Sequence, residues 1–256
     1  MTINVINWTE SDGRNPIVLF DNLLKDSTPS VAAAEDALTT STYDAWNFTL
    51  PQTITFDMGS DKEFSAFALV GSDISGGVEL SISTDDITYT PINTSLIAVE
   101  KGDCILFVFN KREARYFRSV FTGSGAASVR SFWLSQPLEF PGGIGYSYTP
   151  VWMAQEKELL VSKTMNGQFV GNRVLSKGAM TDIPMIAEER TFIEEDMQPF
   201  MKHYNDGQPF VFAAGPTEFT KDVSYVWRQQ GAEMRPTFDQ SGNWMSFTMS
   251  VEGYVT

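Results

Sequence analysis

The 256-residue chain carries 18 Lys and Arg against 32 Asp and Glu, a net charge of −14, shared as −9 over residues 1–140 and −5 over residues 141–256. Neither half offers the clustered basic side chains that neutralise phosphates, which excludes tight nucleic-acid binding, and 42% hydrophobic with 13% aromatic residues excludes a disordered chain. Cys104 is the only cysteine and His203 the only histidine, too few for an intrachain disulfide or a four-ligand structural zinc site.

From the N-terminus, MTINVINWTESDGR lacks a basic segment followed by an apolar core, so no secretory signal is expected, and folding in a reducing cytoplasm follows. The sequons at Asn7, Asn47 and Asn93 then read as chance matches. Val31–Leu38 is alanine-rich but long enough only for a marginal helical turn. Strands follow in quick succession. Ile54, Phe56 and Met58 alternate with polar neighbours, as do Val78, Leu80 and Ile82, and a period of two marks half-buried strands. Asp85-Asp86 supplies a reversal, and further strands fit Phe64–Val70, Cys104–Asn110, Arg115–Phe121 and Ser128–Leu134. Many short strands with turns between them predict a β-sandwich or barrel. Cys104, inside the apolar run CILFVF, is expected in the core rather than as a nucleophile, and that run is far shorter than the roughly 20 residues a membrane helix needs.

Three prolines and three glycines in Gln136–Pro150 place a domain boundary near Pro141, giving domains 1–140 and 141–256. Gly142, Gly143 and Gly145 are not followed by Gly-Lys-Ser/Thr, so they suit a linker better than a phosphate loop. A helix is expected near 188–204. Thr191 and Glu194 have capping-box spacing, Glu194, Glu195 and Asp196 suit a first turn, and Phe192, Ile193, Met197, Phe200, Met201 and Tyr204 share one face. Pro199 should kink or split it. Strands then return at Pro209–Ala213, Ser224–Gln229 and Trp244–Tyr254, the last with nearly ideal alternation. The fold class expected is mainly β, one sandwich followed by a second that carries one α-helix.

Catalytic chemistry finds little support. His203 lies near the end of the expected helix, where a protonated imidazole meets the dipole, and no G-x-S-x-G accompanies it. Carboxylates are plentiful, but their spacing reveals no acid/base pair, and the calcium-loop pattern D-x-D-x-D-G is missing. No enzyme, cofactor or metal is expected. Binding groups are better placed: the loop Thr39–Phe48 offers Tyr43, Asp44, Trp46 and Asn47, flat apolar faces mixed with hydrogen-bonding groups that suit sugar or protein recognition. The other reading of Trp46 is core filler beneath the loop.

Over about residues 20–135 the chain resembles the discoidin, or coagulation factor 5/8 C-type, family of galactose-binding-like jelly rolls. The matching segments are Glu35-Asp36-Ala37 through Thr42 to Trp46, Ile54–Gly59, Ser83–Tyr89 and Ala114–Arg118. Asp36-Ala37 replaces the family's Asp-Gly, and the Thr-to-Trp spacing is longer than usual. The resemblance implies loops at one end of the barrel that bind glycans, lipids or proteins. Residues 140–256 resemble, through the order of their features, the tail-tube-like domain of tailed-phage distal tail and minor tail proteins. Those features are Asn166–Phe169, the acidic helix to Tyr204, Gly207–Phe212, Ser224–Trp227 and Trp244–Tyr254. That resemblance implies a homo-oligomeric ring, six-fold in form, in the virion tail tip. The ring would contact tail-tube and hub proteins, with the first domain facing outward toward host-surface glycan. The alternative is a free-standing, lectin-like carbohydrate-binding protein.

Overall fold

A computed structural model describes residues 1–9, 13–239 and 242–255. Its strands are β1 (Thr2–Ile6), β2 (Ile17–Leu19), β3 (Thr28–Pro29), β4 (Trp46–Ser72), β5 (Gly76–Ser83), β6 (Thr90–Pro91), β7 (Ile97–Val99), β8 (Gly102–Val129), β9 (Ser131–Ser135) and β10 (Leu138–Glu139). They continue as β11 (Gln155–Lys163), β12 (Phe169–Glu189), β13 (Phe210–Ala213), β14 (Val223–Arg228), β15 (Thr237–Phe238) and β16 (Trp244–Gly253), with helices α1 (Arg190–Glu195) and α2 (Gln198–Asn205) after β12. The expected mainly-β class is the observed one, and every ladder is antiparallel except β1 with β8.

The first sandwich is built on β4 and β8. The first half of β4 pairs with the second half of β8, alongside β5, and the second half of β4 pairs with the first half of β8, alongside β9 and β1. Register shifts between Asp57 and Lys62 and between Phe64 and Ala66 mark where β4 bends from one layer to the other, which closes the expected jelly-roll sandwich. The Asp85-Asp86 reversal forms as expected: Asp85 accepts from the Ile87 and Thr88 amides at 2.9 Å, and Asp86 adopts φ +60°. Val31–Leu38 supplies a 3-10 helix over Ala32–Leu38.

The inner layer is buried on both faces, which explains its continuous apolar runs. Phe67, Leu69, Ile105, Phe107 and Phe109 face the sandwich interior, while Ala66, Ala68, Val70, Cys104, Leu106 and Val108 face outward. Against that outward side lies the second sheet, ordered β10-β2-β13-β14-β16-β12-β11, through Val211, Ala213, Val223 and Tyr225. Residues on both sides of the 140/141 division therefore share a sheet and a core. The second sheet takes β2 from the first 20 residues, with Ile17 and Leu19 in the shared core and Val18 in the core beyond.

The helices cover the far face of the second sheet. Pro199 does split the helical segment, sitting in the first turn of α2 where its missing N–H costs nothing. Ile193, Met197, Phe200 and Tyr204 are buried on the expected face; Phe200 meets Phe210 edge-on at 5.2 Å, and burying such a ring contributes on the order of 2 kcal/mol. The capping box does not form. Helix α1 starts earlier, with Glu189 as its cap residue, so Thr191 lies inside it and Glu194 bonds Arg190 at 2.7 Å. Glu194 and Glu195 consequently end α1 instead of opening it.

Candidate functional site

The loop Thr39–Phe48 is held from both sheets. Arg130 Nη1 donates to the carbonyls of Thr42 at 2.7 Å and Tyr43 at 3.1 Å, Ser131 Oγ to Thr39 O at 2.8 Å, and Tyr225 OH, from the second sheet, to Thr40 O at 2.7 Å. Gly71 makes room for this anchor: at φ +56° it is left-handed, and a Cβ there would lie 2.6 Å from Arg130 Cδ. Within the loop, Ser41 N bonds Thr39 Oγ1 and Tyr43 N bonds Ser41 Oγ, the local side-chain turns that suit Ser and Thr.

Of the four residues expected to bind, the structure brings Tyr43, Asp44 and Asn47 to the surface, with Tyr43 90% exposed. Trp46 is 2% exposed and stacks on Phe48 at 4.1 Å and near Phe132 at 5.9 Å, so it fills the core and offers no face to a ligand. Asn47 bonds its own neighbour, Ala45 O, at 3.1 Å. The accessible part is thus one phenol ring, one carboxylate and one amide on a fixed backbone.

Cys104, His203 and Asn93 are tied into the fold. Burial pushes the Cys104 thiol up to about 12, so no thiolate forms at neutral pH. His203 lies in the last turn of α2, but burial lowers its pKa and Nε2–H donates to Pro209 O at 2.8 Å, which favours the neutral imidazole over the expected cation. Asn93, one of the sequons, is 4% exposed and bonds Val78 O, Ser95 O and Leu80 N, which closes it to modification. Among the described residues no group of three or more His, Cys, Asp or Glu is placed to hold a metal, and no helix is long and apolar enough to cross a membrane.

A second surface was not visible in the sequence beyond its turn. Strands β11 and β12 pair from Gln155 with Ala179 to Lys163 with Phe169, while β16 reaches β12 only from Ala179 onward. Residues 156–163 and 169–178 therefore form a two-stranded ribbon, roughly 25 Å long, that outruns the sheet, and among the described residues neither of its edges is paired. Thr164 Oγ1 accepts from Gln168 N at 3.0 Å and Gly167 sits at φ +78°, which fixes the turn. Leu159, Leu160, Val161, Met165, Phe169, Val170 and Val174 are all exposed along it, Phe169 at 66% and Val170 at 64%. Consecutive Leu159-Leu160-Val161 side chains point to opposite faces, so both faces are apolar.

The sequence matches no family model and no curated protein. Among solved structures the chain is similar to carbohydrate-binding modules. One is CpGH89CBM32-5 from Clostridium perfringens, in complex with GalNAc-β-1,3-galactose, at 18% identity and TM-score 0.39, covering 45% of this chain and 99% of that one. Another, CBM32-1 from a family 31 glycoside hydrolase of the same organism, is 19% identical with TM-score 0.39 over 46% and 99%. Chitosan-binding module 2 of a Paenibacillus sp. IK-5 chitosanase/glucanase, with chitotriose, is 19% identical with TM-score 0.38 over 44% and 99%.

Proposed function

We propose that this chain is a self-assembling structural protein whose copies join through the β11–β12 ribbon into a closed ring, with the jelly-roll sandwich carried on the outside. The single observation behind this reading is the ribbon itself. A lone two-stranded ribbon is marginal in water, and unpaired edges flanked by apolar side chains invite another strand. Two free edges on one ribbon favour head-to-tail addition, which closes when the rotation per copy allows it. Together with the resemblance of residues 140–256 to tail-tube-like domains, this makes the protein a distal or minor tail component of a tailed-phage virion, with tail-tube and hub proteins as neighbours. Leu160→Lys with Val161→Lys places charge on both faces. In light scattering and negative-stain images at high concentration, wild type should form closed, six-fold rings, and the double variant should remain monomeric with its melting temperature unchanged. A wild-type chain that stays monomeric and also fails to join tail-tube and hub proteins overturns the reading.

The second reading is glycan binding by the first sandwich, favoured by the 90% exposed Tyr43 ring on a loop fixed by Arg130, Ser131 and Tyr225. A rigid backbone presenting one aromatic face suits sugar stacking. Saturable glycan-array binding that drops at least about tenfold in Tyr43→Ala, with stability intact, is the expected result under it. Absence of binding across the array removes it.

A further inference from the structure

A cavity of about 410 Å³ opens where the N-terminal segment, the Gly143–Pro150 connection and the turn before β14 meet. Pro16, Ile144 and Phe219 form apolar walls, and Tyr148 and Asp222 supply the polar groups. Asp222 is 5% exposed. Its backbone is fixed by Asp222 N to Phe219 O at 2.8 Å and by Ala214 N to Asp222 O at 3.2 Å. Its Oδ1 accepts from Tyr148 OH at 3.1 Å, and among the described residues no partner meets Oδ2. Burial pushes this carboxyl up to about 6, so at neutral pH it is still mostly ionised.

A buried carboxylate supported only by a neutral phenol is unusual, because such charges are ordinarily paired. The cation in the cavity wall, Arg14, pairs at 3.3 Å with Glu218, their side chains 68% and 49% exposed. Asp222 is the one carboxylate among the described residues that line the cavity, with apolar walls beside it. We propose that this cavity binds a monocation on a short aliphatic stem, an alkylguanidinium or alkylammonium group, with Asp222 as counter-ion and Phe219, Ile144 and Pro16 around the stem. Such a group occurs on free small molecules and on Lys or Arg side chains of another chain, and the chemistry is shared.

The test uses the full chain with n-butylguanidinium, and with neutral n-butylurea of nearly the same shape as the control. Titration at pH 7.5 followed by NMR or calorimetry should give saturable butylguanidinium binding, with a Kd on the order of 1 mM, and none by butylurea. Asp222→Asn, which preserves shape and can still meet Tyr148, should weaken binding about tenfold or more, and Phe219→Ala at its exposed position should weaken it several-fold. Equal response to butylurea, unchanged affinity in Asp222→Asn, or no saturation by about 20 mM overturns the proposal. Sedimentation then separates the sources. If butylguanidinium dissociates assemblies, the natural occupant is a neighbour's side chain; if binding leaves assemblies intact, it is a free cation. Either result upholds the site, and the titration itself reads the site whether or not the ribbon closes a ring.

Discussion

Glu188→Gln is expected to raise the unfolding free energy by about 2–3 kcal/mol at pH 8 and by almost nothing at pH 4. Glu188 is fully buried near the end of β12; Oε2 accepts the Gly142 N–H at 3.2 Å, and Oε1 has no partner. Burial pushes its carboxyl up to about 7 from 4.5. Below pH 4.5 folded and unfolded chains both hold the proton. As pH rises toward 7 the unfolded chain releases it while the folded chain keeps it, so stability falls through that interval and stays low above it. Glutamine is neutral throughout and keeps an acceptor for Gly142, so it removes the penalty where the penalty exists. Urea unfolding at pH 4, 6 and 8 reads the difference directly. A gain that does not grow with pH shows that Glu188 is not held protonated by burial.

The position explains why the chain tolerates this residue. Between Met185 and Glu188 the β12–β16 register shifts, and Ala187 takes φ +55°, a left-handed conformation that L-residues seldom adopt. The bulge turns the Glu188 carboxylate onto Gly142, whose missing side chain is required there, since a Cβ would lie 2.2 Å from Ile186 O. The connection from β10 to β11, both strands of the second sheet, is therefore clasped at one point by a side chain that is neutral only below about pH 7.

How much of this was legible follows from what a sequence pattern measures. Alternation reports one buried face, so Trp244–Gly253 and Val78–Ile82 were plain. Phe64–Val70 and Cys104–Phe109 were legible as buried, but the apolar run does not say that the second sheet is what covers their outer face. Strand β2 has three residues, too few for any period, and its partners in β13 lie nearly 200 residues away. The ribbon hid for the opposite reason: neither of its faces is covered, so Leu159-Leu160-Val161 carries no alternation at all. Pro199 divided the helix as its chemistry requires, whereas Thr191 matched a capping pattern that β12 bypasses by running straight into α1. In the candidate loop Tyr43 and Asp44 reach the surface, as polar loop residues do. Whether Trp46 pointed out or in depended on its pairing opposite Val129, which no local signal encodes.

Trp133→Ala is expected to cost about 3–5 kcal/mol and to loosen both sheets together. Its indole is 1% exposed, donates Nε1–H to Ser131 Oγ at 3.0 Å and stands edge-on to Tyr225 at 5.7 Å, so it spans the core between β9 of the sandwich and β14 of the second sheet. Alanine leaves a void bounded by two β layers, and paired sheets cannot collapse into it without breaking register. Tyr225 would lose its ring contact while still donating to Thr40 O, so the loop that presents Tyr43 should loosen as well. Hydrogen exchange read by mass spectrometry should show protection falling by similar amounts in Phe64–Val70 and in Phe210–Ala213, with one unfolding transition. Loss confined to the sandwich, with the second sheet as protected as before, would mean that the shared core does not couple them. The single transition is expected because β2 leaves the second sheet dependent on the chain's first 20 residues, and the core around Trp133 is built from both sheets.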